Sequence, residues 1–291
     1  MYLEVRILVF GPKFTARKVH TQQTANGKMS SEAEASPVDE EAAVRHVRPL
    51  YRRTFEAVSL NDAVTMSADG TIMLGLGRDG FTYGETTLSS VWQVLRQVDL
   101  GSYRCRCERS APEQDADATA RCSECGLHRA GASIVDLGSG IGNVVVGVAL
   151  LAATGELPSQ VGAVAGVELL PTLHAAATQA LDRLHRDMAT GSEPVTPPLP
   201  LPLPPCTLHC ACLEAYGLGD CDVVYMASTV FEDALLERFA SRAAHELRPG
   251  ARVVTLGAPL RHPVFRQEAV VPCVNSWGTE DAFVHVREAK V

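Results

Sequence analysis

The chain has 291 residues, 46% of them apolar, enough to bury one large core with a small appendage. A formal net charge of −8 and a pI near 5.6 argue against a protein built to grip nucleic acid, which would show a basic face. No apolar run reaches the roughly 18 residues needed to cross a bilayer. Nine cysteines, an odd number, point to mostly reduced thiols rather than a disulfide framework.

The opening "MYLEVRILVF" lacks a basic n-region and carries Glu4, which argues against a secretory signal. Residues 1–28 are net basic, leaving room for an organelle presequence, and Met29 is a second candidate start. Residues 1–43 read as a flexible leader, polar, acidic and poor in aromatics over 20–43. From Val44 to about Leu60 apolar positions recur at helical spacing, which predicts a helical cap within 44–80. In that cap "RHVRPLYRR" gathers Arg45, Arg48, Arg52 and Arg53; local phosphate contact is one reading and a solvated helix face the plainer one. Thr86 or Thr87 can then cap a helix through Val98, with Val91, Val94, Leu95 and Val98 on one face.

A polar insertion over 101–131 carries Cys105, Cys107, Cys122 and Cys125, with His128 nearby. Two close thiol pairs could hold a tetrahedral structural zinc, although C-x-C is tighter than the usual spacing; free thiols in a surface insertion are the alternative. A strand (Ser133–Leu137), a glycine turn, a helix (Asn143–Ala153), the strand "AVAGVELL" and a helix over Pro171–Met188 follow. The proline-rich loop 192–205, "PVTPPLPLPLPP" at its heart, reads as a stiff spacer rather than a ligand for a proline-reading domain. Beyond it lie the strands "CTLHCACL" and "CDVVYMAS", a helix (Glu232–Leu247), the strand "ARVVTLG", and a terminal hairpin of "EAVVPCV" and "EDAFVHVRE" joined by "NSWGTED". Strands alternating with helices predict a doubly wound, mostly parallel α/β sheet over 81–291. Cys206, His209, Cys210 and Cys212 alternate along one strand and read as core packing.

The turn "DLGSGIGN" carries the chemistry. A nucleoside triphosphatase loop needs Lys-Ser/Thr after its last glycine, and here Asn143 and Val144 follow. A dinucleotide fingerprint counted from Gly138 needs glycine at its sixth place, which is Asn143. S-adenosylmethionine fits better: it has no phosphate, and it needs a flat backbone at Gly138 and Gly140, with Ser139, Gly142 and Asn143 completing the turn. Asp136 before the turn would meet the ligand's ammonium, and Glu168 closing the next strand would accept from the ribose hydroxyls. The competing reading, that both acids only cap the following helices, ignores their shared strand–turn–helix–strand frame.

Together with "YGET" (83–86), "VDLGSGIGN" (135–143), "GVELLPTLHAAA" (166–177), "ASTVF" (227–231), "LRPGARVVTL" (247–256) and "SWG" (276–278), the chain resembles the disruptor-of-telomeric-silencing type of histone-lysine methyltransferases. The resemblance implies a seven-stranded, Rossmann-like class I methyltransferase fold with a C-terminal antiparallel hairpin. It implies that Tyr83, Glu85 and Thr86 close over the methionine end of the cofactor and that Trp277 lines a lysine channel; an indole packed at the hairpin base is the plainer reading of Trp277. Within that loop Glu85 is the candidate to orient the acceptor amine, or to bind the cofactor's own amino group. The chain departs from the family in two places. Ala211, Cys212 and Leu213 replace an acidic triplet that meets the adenine, leaving a poor acceptor at Cys212 with Glu214 as a substitute. Ala227 replaces an asparagine beside the transferring methyl, where Ser228 or Thr229 could offer a hydroxyl. The implied partner is a protein substrate, a histone or nucleosome first, with a nuclear location and a role in chromatin regulation. The alternatives are a non-histone substrate, or a cofactor-binding scaffold that has lost turnover.

Overall fold

The computed structural model describes residues 42–73, 84–98, 131–157, 160–190, 198–229 and 231–289. Helices α1 (Ala42–Phe55), α2 (Leu60–Met73) and α3 (Leu88–Gln97) precede the sheet. There follow β1 (Ala132–Leu137), α4 (Asn143–Ala153), β2 (Val161–Glu168), α5 (Pro171–Thr190), β3 (Cys206–Cys210), β4 (Val223–Met226), α6 (Asp233–Glu246), β5 (Arg252–Leu256), β6 (Phe265–Asn275) and β7 (Gly278–Arg287). All seven strands join one sheet in the order β3-β2-β1-β4-β5-β7-β6. Every neighbouring pair up to β5 is parallel, while β7 runs antiparallel to both β5 and β6. This strand order, with its inserted antiparallel hairpin, is the class I methyltransferase sheet.

Strand periodicity divides the core in two. Ile134, Val164, Val223, Tyr225, Val254 and Leu256 face α1, α3 and α4, whereas Val135, Leu137, Val167, Val224, Met226 and Val253 face α6. Strands covered on both faces need no polar alternation, which is why β4 reads as a continuous apolar run and β1 and β5 hold adjacent apolar pairs, Ile134–Val135 and Val253–Val254. Helix α4 is apolar all round because it is packed all round: every residue but Ala152 is buried. Gly147 lets α1 and α3 close on it, since a Cβ there would lie 3.2 Å from Leu88 Cδ1 and 3.7 Å from Tyr51 Cε2.

Four features differ from the sequence reading. The cap is two helices, not one. Ser59 separates them: its hydroxyl donates to Asp62 (2.7 Å) and accepts from the Asp62 N–H (3.2 Å), capping α2 locally. The terminal hairpin turns on Ser276 and Trp277 alone, because Asn275 pairs directly with Gly278. The described part of the proline run, 198–205, is a strap laid on the body rather than a spacer. Leu199 and Leu203 pack on the core, and the Leu201 N–H donates to the Ala153 carbonyl (3.1 Å).

The fourth difference corrects the core assignment of the third strand's cysteines. Among the described residues β3 is an edge strand with only β2 beside it, and His209, Cys210 and Cys212 are exposed and Cys206 only half-buried. The other edge, β6, is shielded. Pro272 has no N–H to offer a further strand, and the Val274 N–H donates to Ser90 Oγ (2.8 Å) while its carbonyl accepts from the Ser90 hydroxyl (2.9 Å).

Candidate active site

The turn after β1 holds Gly138, Gly140 and Gly142 at φ of 84°, 54° and 87°, a left-handed path that a side chain would strain. Both Gly138 and Ser139 donate their N–H to the Val167 carbonyl (2.8 and 3.0 Å), which ties the turn to the end of β2. Gly138 stays exposed, with the Phe231 ring across it 3.6 Å from where a Cβ would be. Helix α4 starts at Asn143 with no side-chain cap on its first turn.

Two buried acids flank this turn. Glu168 is spoken for: Oε2 accepts from the Gly140 N–H and Oε1 from the Leu170 N–H, each at 2.8 Å. The carboxylate therefore shapes the turn as well as facing the place where a ribose would lie. Asp136 is 2% exposed, and its Oδ1 is buried without a partner. Burial, with Glu168's charge adding to it, pushes Asp136 up to about 8. Glu168 is raised as well by burial, opposed by its backbone donors. Ser139 Oγ is likewise buried without a partner. An orphaned carboxylate oxygen held out of water is a site for a cation, and a left-handed glycine path beside it leaves room for one carried on a flat, uncharged body.

The segment Gly84–Thr86 lies against the tip of the terminal hairpin. Thr86 forms an antiparallel bridge with Asn275, the Ser276 N–H donates to the Glu85 carbonyl (2.8 Å), and the Glu85 N–H donates to Ser276 Oγ (2.9 Å). Trp277, 40% exposed, lays its ring so close on Gly84 that any Cβ there would overlap it. Thr87 caps α3, accepting from the Ser90 N–H (3.2 Å). The Trp277 ring thus lies against the loop backbone at Gly84, next to Glu85 in the chain.

The remaining predicted residues fall into three groups. Tyr83 and the cysteines Cys105, Cys107, Cys122 and Cys125 lie outside the described residues; among the described residues no cluster of His, Cys, Asp and Glu could hold a metal. Ser228 is buried and donates its hydroxyl to the Leu256 carbonyl (2.8 Å), so it ties β4 to β5, while Ala227 beside it is half-buried. Cys212 is exposed and Leu213 half-buried, at the start of a short 3-10 turn beyond β3. Glu214, the substitute acceptor, is held by Arg238 (2.9 Å).

Two tyrosines that nothing in the sequence pattern singles out also reach this turn and loop. Tyr51 of α1 hydrogen-bonds the Asn143 side chain and lies near the Glu85 carboxylate. The Tyr225 hydroxyl of β4 donates to Thr86 Oγ1 (3.3 Å) and lies near Asp136. Both sit in apolar stripes that read as core, and their hydroxyls are the only sequence sign of anything else.

No protein-family model matches the chain, and no curated protein matches its sequence. Solved structures with a related chain course include an RNA methyltransferase from Salinibacter ruber in complex with S-adenosyl-L-homocysteine. That protein is 17% identical over 55% of this chain and 83% of its own, with a TM-score of 0.38. The magnesium protoporphyrin IX methyltransferase from Synechocystis PCC 6803 with bound S-adenosylmethionine is 15% identical over 79% of this chain and 99% of its own, with a TM-score of 0.39.

Proposed function

We propose that the chain is an S-adenosylmethionine-dependent methyltransferase acting on a protein lysine, with a histone or nucleosome as the first substrate to test and the nucleus as its place of work. The observation that carries the reading is the unpartnered, buried Asp136 Oδ1 beside a left-handed glycine turn that Glu168 pins from the next strand. An ammonium at Asp136, a ribose at Glu168 and a flat body along Gly138–Gly140 satisfy this arrangement. A triphosphate does not, because two buried acids would repel it.

When bound, the cofactor supplies an already activated methyl on its sulfonium, so the chain has little acid–base work to do. Asp136 and Glu168 hold and orient the cofactor's polar ends. The Gly84–Thr86 loop, backed by Asn275, Ser276 and Trp277, excludes water from the methyl end and leaves Glu85 to orient the incoming amine. A lysine must arrive without its extra proton, and an apolar channel favours the neutral amine by desolvation.

The lysine assignment rests on the resemblance carried by "YGET" and "SWG"; Glu85 and Thr86 of the first lie against Asn275 and Ser276 at the second. A cofactor-binding scaffold without turnover is the second reading, favoured by the commitment of the Ser228 hydroxyl to Leu256 and by the missing amide at Ala227. Calorimetry with S-adenosylmethionine, followed by radiolabelled methyl transfer to histones, nucleosomes and whole-cell extract, separates them. Binding with transfer to a histone lysine supports the proposal, and transfer only to other material moves the substrate class. Binding with no transfer to any material selects the scaffold, and no binding overturns both.

A further inference from the structure

The cap helix α1 precedes the methyltransferase sheet in sequence, yet it delivers a polar group to the pocket. Tyr51 packs its ring beside Phe55, with centroids 5.2 Å apart, and over Gly147 of α4, and its hydroxyl ends on the Asn143 side chain near Glu85. From the other side Tyr225 rises from β4, its hydroxyl donating to Thr86 Oγ1 (3.3 Å) and its ring within electrostatic reach of Asp136 and Tyr51. Two phenols from elements far apart in sequence thus meet between the glycine turn and the Gly84–Thr86 loop.

Their chemistry suits an acceptor amine in a way that Glu85 alone does not. A carboxylate beside an amine favours the ammonium, which has no lone pair to give. A phenol hydroxyl accepts an N–H without adding charge, so it can aim the lone pair of a neutral amine. Burial pushes both phenols well above their ordinary range, and they stay neutral.

Resting on the methyltransferase reading above, we propose that Tyr51 and Tyr225 are positioning residues for the acceptor amine, so that the helical cap is part of the active site. Tyr51→Phe and Tyr225→Phe remove only a hydroxyl each. Each variant is expected to lower kcat by between about tenfold and about a hundredfold, while KM for S-adenosylmethionine moves less than about threefold. The split separates positioning from cofactor binding. Phe55→Leu is the control for packing, since it loosens the same helix and touches the Tyr51 ring but carries no polar group to the pocket. It is expected to lower the thermal midpoint and leave kcat within about twofold.

A wild-type kcat in both tyrosine variants overturns the proposal. So does a fall in kcat matched by Phe55→Leu, which would make the role structural, or a loss of cofactor affinity that accounts for the whole rate effect. A wild-type chain that binds S-adenosylmethionine and transfers methyl while both tyrosine variants keep full rate leaves the enzyme reading standing and removes this one. A wild-type chain that transfers nothing removes both.

Discussion

On the β1–β4 side of the glycine turn, Asp136, Asn143 and Tyr225 are buried and Tyr51 half-buried beneath α1, α3 and α4. On the β3 side the chain ends its sheet, and Cys210, Cys212 and Glu214 stand in water. A ligand seated on the glycine turn as proposed would therefore meet one closed wall and one open one. Polar contacts gain strength and selectivity as water leaves, and an unmade contact there costs more. Discrimination of a ligand should come from the closed wall, with the open wall adding little.

The sharpest test of that contrast is Asp136→Ala. Losing the partner of a buried cation typically costs about 2–5 kcal/mol, which is at least about a thirtyfold loss of S-adenosylmethionine affinity by calorimetry. Wild-type affinity in this variant would move the site elsewhere. Next in size is Gly84→Ala, which drives a methyl into the Trp277 ring and displaces the loop over Glu85. Methyl transfer should fall between about tenfold and about a hundredfold with cofactor binding retained. Adding Trp277→Ala should relieve the overlap and recover part of the rate, an outcome that a simple loss of loop folding would not give.

The closed wall should also announce itself in pH. With Asp136 pushed up to about 8, its carboxyl is largely protonated at neutral pH and must ionise to receive an ammonium. Binding then releases a proton, and affinity should rise by about tenfold per pH unit below pH 8, where the carboxyl is half ionised, and level off above it. Stability of the ligand-free chain runs the other way. The native acid keeps a proton that the unfolded chain gives up near its ordinary value, so Asp136's contribution falls as pH rises from about 4 to about 8. Calorimetry in buffers of different ionisation heat measures the proton directly. Asp136→Asn should flatten both slopes, and an unchanged binding slope in that variant would assign the titration to another group.

The two walls also differ in how much of them was legible in the sequence. Asp136, the glycines and Glu168 were readable because backbone geometry and a strand–turn–helix frame constrain residue type at fixed spacing. Helix α4 and strand β4 were readable because packing on all sides demands unbroken apolar runs. The place of β3 at an edge was not readable, since strand order is set by which crossovers pack, and an alternating "CTLHC" fits an edge and a core strand alike. Tyr51 and Tyr225 were hidden for a related reason. Their rings satisfy the helical and strand patterns, and only the fold shows that the hydroxyls come from α1 and β4 onto Asn143 and Thr86.

The smallest expected effect tests the open wall itself. Cys212 is exposed at the start of the 3-10 turn beyond β3. If the proposed cofactor's adenine lies there, Cys212→Asp would supply a charged acceptor for its amino group, but in water, and close to Arg238, which already takes Glu214. A net hydrogen bond in such a setting is worth about 0.5–1.5 kcal/mol, so affinity for S-adenosylmethionine should improve by only about two- to tenfold. Cys212→Ala, which removes a weak acceptor, should change it by less than about twofold by the same reasoning. If alanine there cost as much as Asp136→Ala does, exposure would not govern how this pocket distributes its binding energy, and the contrast between its walls would have no energetic content.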